Sequence, residues 1–187
     1  MKIINKSELT EDRIIDINKR VPIRYQNSWL EDCPDKIKTF IEEPKTEKTG
    51  LFLYGKCGTG KTYAMMAIKK NLLLREIQFK FWNSTELSAT FREEAVSETY
   101  RNHTINNLME SDKLLLIDDF CAEKYSEFLE ECFYRIINKC WNENIPVIIS
   151  SNFSLKEISE RIGDRIASRI AGMCEIIELT GKDKRIV

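Results

Sequence analysis

The sequence predicts an α/β fold, a three-layer αβα sandwich built on a five-stranded, mainly parallel sheet with no separate lid domain. Three observations predict it. From residue 51 onward, apolar runs of strand length alternate with longer segments of helical period, the pattern of βαβ units whose crossovers cover both faces of a parallel sheet. One strand-to-helix junction carries a glycine-rich run, Gly55-Lys56-Cys57-Gly58-Thr59-Gly60-Lys61-Thr62. The 187 residues, 42% of them hydrophobic, suffice for one well-cored domain and are short for two.

The elements follow in order. Residues 1–20 are charged and weakly amphipathic, and read as a short arm anchored by Ile14, Ile15 and Ile17 ahead of a domain spanning 21–187. From Val21 to Ile41 a turn and a helix are expected, ended by Glu43-Pro44, because a proline drives the preceding residue out of the α region. Leu51-Phe52-Leu53-Tyr54 is the first strand, and Lys61 to about Leu74 is a helix with Ala64, Met65, Ala67, Ile68 and Leu72 inward. Phe79-Lys80-Phe81-Trp82 is the second strand. Asn83, with Glu86 three residues on, starts a helix through about Ala95 as a capping box. Leu114-Leu115-Leu116-Ile117 is a buried strand ending at Asp118. A helix from Ser126 follows, with Leu129, Phe133, Ile136, Ile137, Cys140 and Trp141 on one face. Pro146-Val147-Ile148-Ile149 is the fourth strand, Ser154 and Glu157 cap the next helix, and Glu175-Ile176-Ile177-Glu178-Leu179 is the fifth strand.

Composition narrows the function. Charge is abundant but balanced, 29 Lys+Arg against 30 Asp+Glu, so a nucleic-acid partner has to be held by a local basic surface rather than by a global field. No apolar run approaches the roughly 18 residues of a membrane helix, and no signal-type apolar core follows the first residues; no membrane association and a cytoplasmic location are expected. The six cysteines show no CxxC pair, and the lone His103 completes no Cys/His zinc set by local spacing. Reduced, mostly buried thiols follow.

Ligands of such sheets bind beyond the carboxyl ends of the strands, and the residues there are informative. The run after the first strand is a complete phosphate-binding loop, a P-loop. Gly55, Gly58 and Gly60 keep side chains out of a turn whose N–H groups wrap phosphate oxygens. Lys61 is placed to reach the outer phosphates, and Thr62 to offer its hydroxyl to Mg2+. Gly55, Lys56, Cys57, Gly58, Thr59, Gly60, Lys61, Thr62 and Tyr63 are thus the candidate ATP/ADP-binding set. Asp118 and Asp119, at the end of a buried strand, supply a carboxylate for the metal and a second one to polarise the attacking water. Asp119 is one methylene shorter than the Glu common there, which points to slow hydrolysis. Asn152, after the fourth strand, is placed to hydrogen-bond the γ-phosphate or the water.

The combination of Leu-Ile-Asp-Asp, Ser-Ser-Asn and Gly163-Asp164-Arg165-Ile166-Ala167-Ser168-Arg169-Ile170 resembles the DnaC/IstB group of AAA+ ATPases, which includes bacterial and phage helicase loaders and ATPase helpers of transposons. The likeness runs from Val21-Pro22-Ile23-Arg24-Tyr25 to Gly181-Lys182-Asp183-Lys184-Arg185. It implies an AAA+ ATPase domain that self-associates through an arginine finger. By motif position Arg169 is that finger, inserted in trans, Arg165 is its nearby partner, and Arg185 is a second sensor contacting phosphates in cis. It also implies a partner, a replicative helicase or other DNA-processing protein, and contact with single-stranded DNA, for which Lys124 and Tyr125 are candidates by location and Arg75, Lys80 and Trp82 by composition. Helicase loaders of the group carry an additional N-terminal domain, whereas about twenty residues precede the core in this sequence, and Cys121 stands where Gly is usual. The spacing of Arg161, Arg165 and Arg169 places all three on one helix face.

The leading expectation is therefore an ATPase that loads or remodels a partner on DNA. A small P-loop kinase fits size and phosphate loop equally well but not the Ser150-Ser151-Asn152 and Arg165/Arg169 placements. A third reading, an ATP-gated adaptor with little hydrolysis, follows from the short Asp119.

Overall fold

The computed structural model describes residues 2–43, 47–97 and 102–181. Helix α1 (Glu11–Asn18) is capped by Thr10, and α2 (Asp35–Glu42) starts directly after Pro34. Strand β1 (Gly50–Tyr54) leads through the glycine-rich loop into α3 (Lys61–Leu74), and β2 (Phe79–Asn83) runs straight into α4 (Ser84–Val96). A short α5 (His103–Met109) precedes β3 (Leu114–Phe120). Then come α6 (Glu127–Asn142), β4 (Val147–Ser151), α7 (Leu155–Ile162), α8 (Asp164–Met173) and β5 (Cys174–Glu178). Both caps read from sequence form, the one at Asn83 as a side-chain cap for which no return bond from Glu86 is seen, the one at Ser154 as a full box. The Asn83 side chain accepts the N–H groups of Thr85 and Glu86. Ser154 and Glu157 close a reciprocal box, at 3.3 Å from the Glu157 N–H to the Ser154 hydroxyl and 2.8 Å from the Ser154 N–H to the Glu157 carboxylate, which satisfies N–H groups that the first helical turn leaves open.

The sheet order is β2-β3-β4-β1-β5, with every neighbouring pair parallel. Because side chains alternate between faces, Phe52, Leu115, Ile117, Val147 and Ile149 pack under α4 to α8, while Leu51, Leu53, Leu116, Ile148 and Ile177 pack under α2 and α3. Covering both faces is what lets the strands read as continuous apolar runs. A third, smaller cluster joins Ile17 and Trp29 to Leu74 on the outer side of α3. Ile15, expected to anchor the first segment, is 54% exposed; helical period puts Ile14 and Ile17, three apart, toward α3 and turns Ile15 away.

Three details differ from the sequence reading. The strand expected to end at Asp118 continues to Phe120 through a β-bulge, since Ile117 pairs with Ile149 but Phe120 pairs with Ser151, so three steps on β3 match two on β4. Within it Asp119 has φ 56°, and Cys121, just beyond, has φ 63°, in the left-handed region where glycine is at no disadvantage. Arg161, Arg165 and Arg169 do not share one helix: Gly163 (φ 91°, ψ 151°) breaks the chain between them, leaving Arg161 at the end of α7 and the other two on α8. Helix α5 had no sequence counterpart, because its seven residues bury only Ile105 and Leu108, too few to show a helical period.

Candidate nucleotide-binding site

The glycine-rich loop is shaped by close approach. A Cβ at Gly55 would lie 2.2 Å from the Leu179 carbonyl oxygen, and the Leu179 N–H donates to Tyr54 at 2.7 Å, so the loop leaves β1 pressed against the end of β5. Gly60, at φ 100°, turns the chain into α3, whose N-terminal N–H groups and dipole face the loop. Lys61 is 4% exposed. Its ammonium donates to the carbonyls of Gly55 at 2.7 Å and Lys56 at 2.8 Å, which holds the charge inside the mouth of the loop. Thr59 braces the same turn through its hydroxyl, 2.9 Å from the Lys56 carbonyl.

In front of the loop is a cavity of about 250 Å³. One wall is the loop and first turn of α3: Cys57, Gly58, Gly60, Lys61, Thr62 and Tyr63. Opposite stand Asp119 and Asn152, from the ends of β3 and β4. Residues separated by almost a hundred positions thus meet at one point because three parallel strands end there. Asp118 lies behind this wall, 3% exposed, next to the side chain of Thr62 and accepting at Oδ1 from the Ser150 hydroxyl. Burial pushes the Asp118 carboxyl above the usual carboxylate range; the Ser150 bond acts against this, and the neighbouring Asp119 charge adds to it. The Tyr63 hydroxyl lies 2.8 Å from the Asn27 carbonyl and 3.1 Å from the Asp32 carboxylate, and burial pushes this phenol up to about 12.

Sequence reasoning missed two kinds of residue. Arg24 and Tyr25 line the cavity; the signal was present in Pro22, whose φ of -57° leads into the turn at Ile23–Tyr25, but nothing local said that this turn would face the phosphate loop. Ser150 was read only as a neighbour of Asn152, yet its hydroxyl bonds Asp118 and accepts the Asp119 N–H at 3.0 Å.

The basic residues lie elsewhere. Arg169 is outside the cavity, its guanidinium held by the Asn138 side chain (2.7 Å), the Tyr134 hydroxyl (3.2 Å) and the Arg165 carbonyl (3.0 Å). Arg165 is exposed beside it. Arg161, on α7, stacks 4.1 Å over the Phe153 ring. Arg185 lies outside the described residues. Of the DNA candidates, Tyr125 cannot serve as a stacking ring: it is 5% exposed, stacked on Phe133, and its hydroxyl bonds Ser84 and the Cys121 N–H. Lys80 is engaged with Asn107, and Arg75 with the Lys2 carbonyl.

Residues 35–176, which contain the loop, both aspartates, Asn152 and Arg169, match the family described as the bacterial DnaA ATPase domain. The chain belongs to the bacterial DnaA ATPase-domain family. Within that family's reach, it is similar to the replicative helicase loader DnaI of Bacillus subtilis (strain 168), 25% identical over 171 residues, which cover 84% of this chain and 54% of DnaI. The chain therefore spans about half the length of that relative. A crystal structure of DnaI superposes with a TM-score of 0.69 at 27% identity, over 88% of this chain and 94% of that one. The DnaC helicase loader (TM-score 0.71, 23% identity, 85% and 100% covered) and a DnaA bound to AMPPCP and single-stranded DNA (0.66, 22%, 79% and 45%) share the fold. The resemblance to helicase loaders and the AAA+ α/β fold read from the sequence are borne out by these matches. Among the described residues, no helix is long and apolar enough to cross a membrane.

Proposed function

We propose that this chain is a magnesium-dependent AAA+ ATPase that uses ATP binding and hydrolysis to load or remodel a replicative DNA helicase on single-stranded DNA. The observation that carries the enzymatic part is that Lys61, Thr62 and Asp119 line one cavity, with Asp118 buried directly behind Asp119 and next to Thr62. A hydroxyl and a buried carboxylate, both hard oxygen donors, stand together at the phosphate end of the loop, a donor set suited to Mg2+. Thr62 and Asp118 would hold the ion, which neutralises phosphate charge when bound.

The chain's own groups divide the remaining work. The loop N–H groups and the Lys61 ammonium bind the β- and γ-phosphates, the ammonium exchanging its two carbonyl acceptors for phosphate oxygens. Asp119 faces the cavity, where its carboxylate orients a water for attack, and Asn152 hydrogen-bonds the γ-phosphate or that water. Arg24 brings a further positive charge to the same space. Arg169, held on the surface of α8 by its own chain, supplies its guanidinium to the nucleotide site of an adjacent copy. Arg165 steadies that contact, and Arg185 is the second sensor. Residues 1–20 act as an arm on a domain spanning 21–187.

The helicase-loading part rests on the likeness to DnaI. The test is phosphate release from ATP with no acceptor added, measured with and without single-stranded DNA and a replicative helicase. Release that DNA and helicase accelerate supports the reading; release that appears only with an added phosphoryl acceptor makes the protein a kinase instead.

A further inference from the structure

Where β3 bulges, the regular ladder between β3 and β4 is interrupted, and two consecutive serines of β4 take over its bonds. Ser151 donates to the Phe120 carbonyl at 2.7 Å and accepts the Phe153 N–H at 3.1 Å, so it ties backbone to backbone. Ser150 does something else with the same group: its hydroxyl donates to the Asp118 carboxylate and accepts the Asp119 N–H at 3.0 Å. Both serines are fully buried, so neither hydroxyl has solvent as an alternative partner. A hydroxyl has one hydrogen to give, and Ser150 gives it to the carboxylate.

We infer that Ser150 is a positioning residue for the metal site, fixing the carboxylate plane of Asp118 toward Thr62 and holding Asp119 in its left-handed turn so that both acids keep one relative geometry. The inference rests on the proposed nucleotide site and deepens it. Three features carry it. On its β4 side Asp118 has no ladder partner, because the register breaks between Ile117 and Phe120, and only the β2 side pairs it, with Asn83. Asp119 has φ 56°, a conformation that costs an L-residue free energy and persists only when its surroundings impose it. One side chain touches both. Groups that orient a metal-binding carboxylate in this way set metal affinity without contacting the metal.

The neighbouring serine is the internal control, since a purely structural role predicts equal consequences for the two. The experiment is calorimetric titration of the full chain with ATP in excess Mg2+ and in EDTA. Wild type is expected to bind more tightly with Mg2+. Ser150→Ala, and the nearly isosteric Ser150→Cys should alanine fail to fold, keep the EDTA affinity but lose about 10-fold or more of the Mg2+ enhancement. Ser150→Thr, which retains the hydroxyl, restores it. Ser151→Ala lowers the melting temperature and keeps the full enhancement. The inference is overturned if Ser150→Ala or Ser150→Cys responds to Mg2+ as wild type does, or if Ser151→Ala loses the response equally. A wild type that shows no Mg2+ enhancement defeats the nucleotide-site reading itself.

Discussion

The phosphate loop and the α7–α8 segment are both basic, and they use their charge in opposite ways. At the loop, Lys61 is buried and its acceptors belong to a turn five and six residues upstream; the whole device is contained in one stretch of chain. On α8, Arg169 is partly exposed, lies outside the cavity lining, and is braced by Asn138 and Tyr134 of α6. Two of its bonds and a cation–π contact 5.0 Å from the Tyr134 ring fasten α8 to α6. The difference teaches that the loop's charge is fixed by its own backbone, whereas the charge of Arg169 is fixed between two helices, and its proposed reach into an adjacent copy is what the variants below test.

The strongest way to break this comparison is Lys61→Ala. Removing two charge-assisted bonds to phosphate, about 1.5–3 kcal/mol each, weakens nucleotide binding by roughly 100-fold or more, measured by calorimetry; binding within a few-fold of wild type would remove the loop from the account. Arg169→Ala sharpens the other side. Nucleotide affinity stays near wild type while hydrolysis by the assembled protein falls by about 1,000-fold, and assembly in ATP, followed by sedimentation, is lost. An Arg169 variant that hydrolyses normally shows that the guanidinium serves packing alone.

Gly163 separates the two short helices at φ 91°, and a Cβ there meets nothing within 4 Å. Gly163→Ala therefore costs only backbone strain, about 1 kcal/mol or somewhat more, read as a small drop in denaturation midpoint. If the angle between α7 and α8 positions Arg169, ATP-dependent assembly falls with it even though the protein remains folded.

The smallest effect lies on the far side of α3, where Lys70 bonds the Asn18 side chain (3.0 Å) and the Gln26 carbonyl (2.9 Å) and sits 3.6 Å over the Trp29 ring. Burial pushes its ammonium from 10.5 down to about 8. Between about pH 8 and 10.5 the unfolded chain then binds more protons at this site than the folded one, so this group's contribution to stability rises with pH across that window. Below about pH 8 both forms are protonated and the cost of burial is constant. Wild type should thus gain on Lys70→Met as pH rises through the window, in paired thermal melts; a difference independent of pH would show that the lysine titrates normally.

How far the sequence carried the fold depended on how local the cause was. The loop, α3, and the caps at Asn83 and Ser154 are set by neighbours a few residues apart, and they were legible. The bulge at Asp118-Asp119 was not, because the groups that satisfy its backbone are two hydroxyls on β4 more than thirty residues away. The same holds for Arg24 and Tyr25, whose place beside the loop comes from packing of the first segment on α3. Equal spacing of three arginines suggested one helix face, but a single glycine conformation outweighed that periodicity. Tyr125 looked available for stacking from its place after the paired acids, whereas its ring completes the Phe120–Phe133 cluster.

The most direct test of the account is titration of the protein with ATP, with and without Mg2+, beside Lys61→Ala and Asp118→Asn. Wild type is expected to bind ATP and to bind it more tightly with Mg2+, Lys61→Ala to give no measurable heat in either condition, and Asp118→Asn to bind equally in both. An Asp118→Asn variant that keeps the wild-type Mg2+ response, or a wild type that gives no heat at all, would contradict a single site shared by the lysine, the threonine and the buried aspartate.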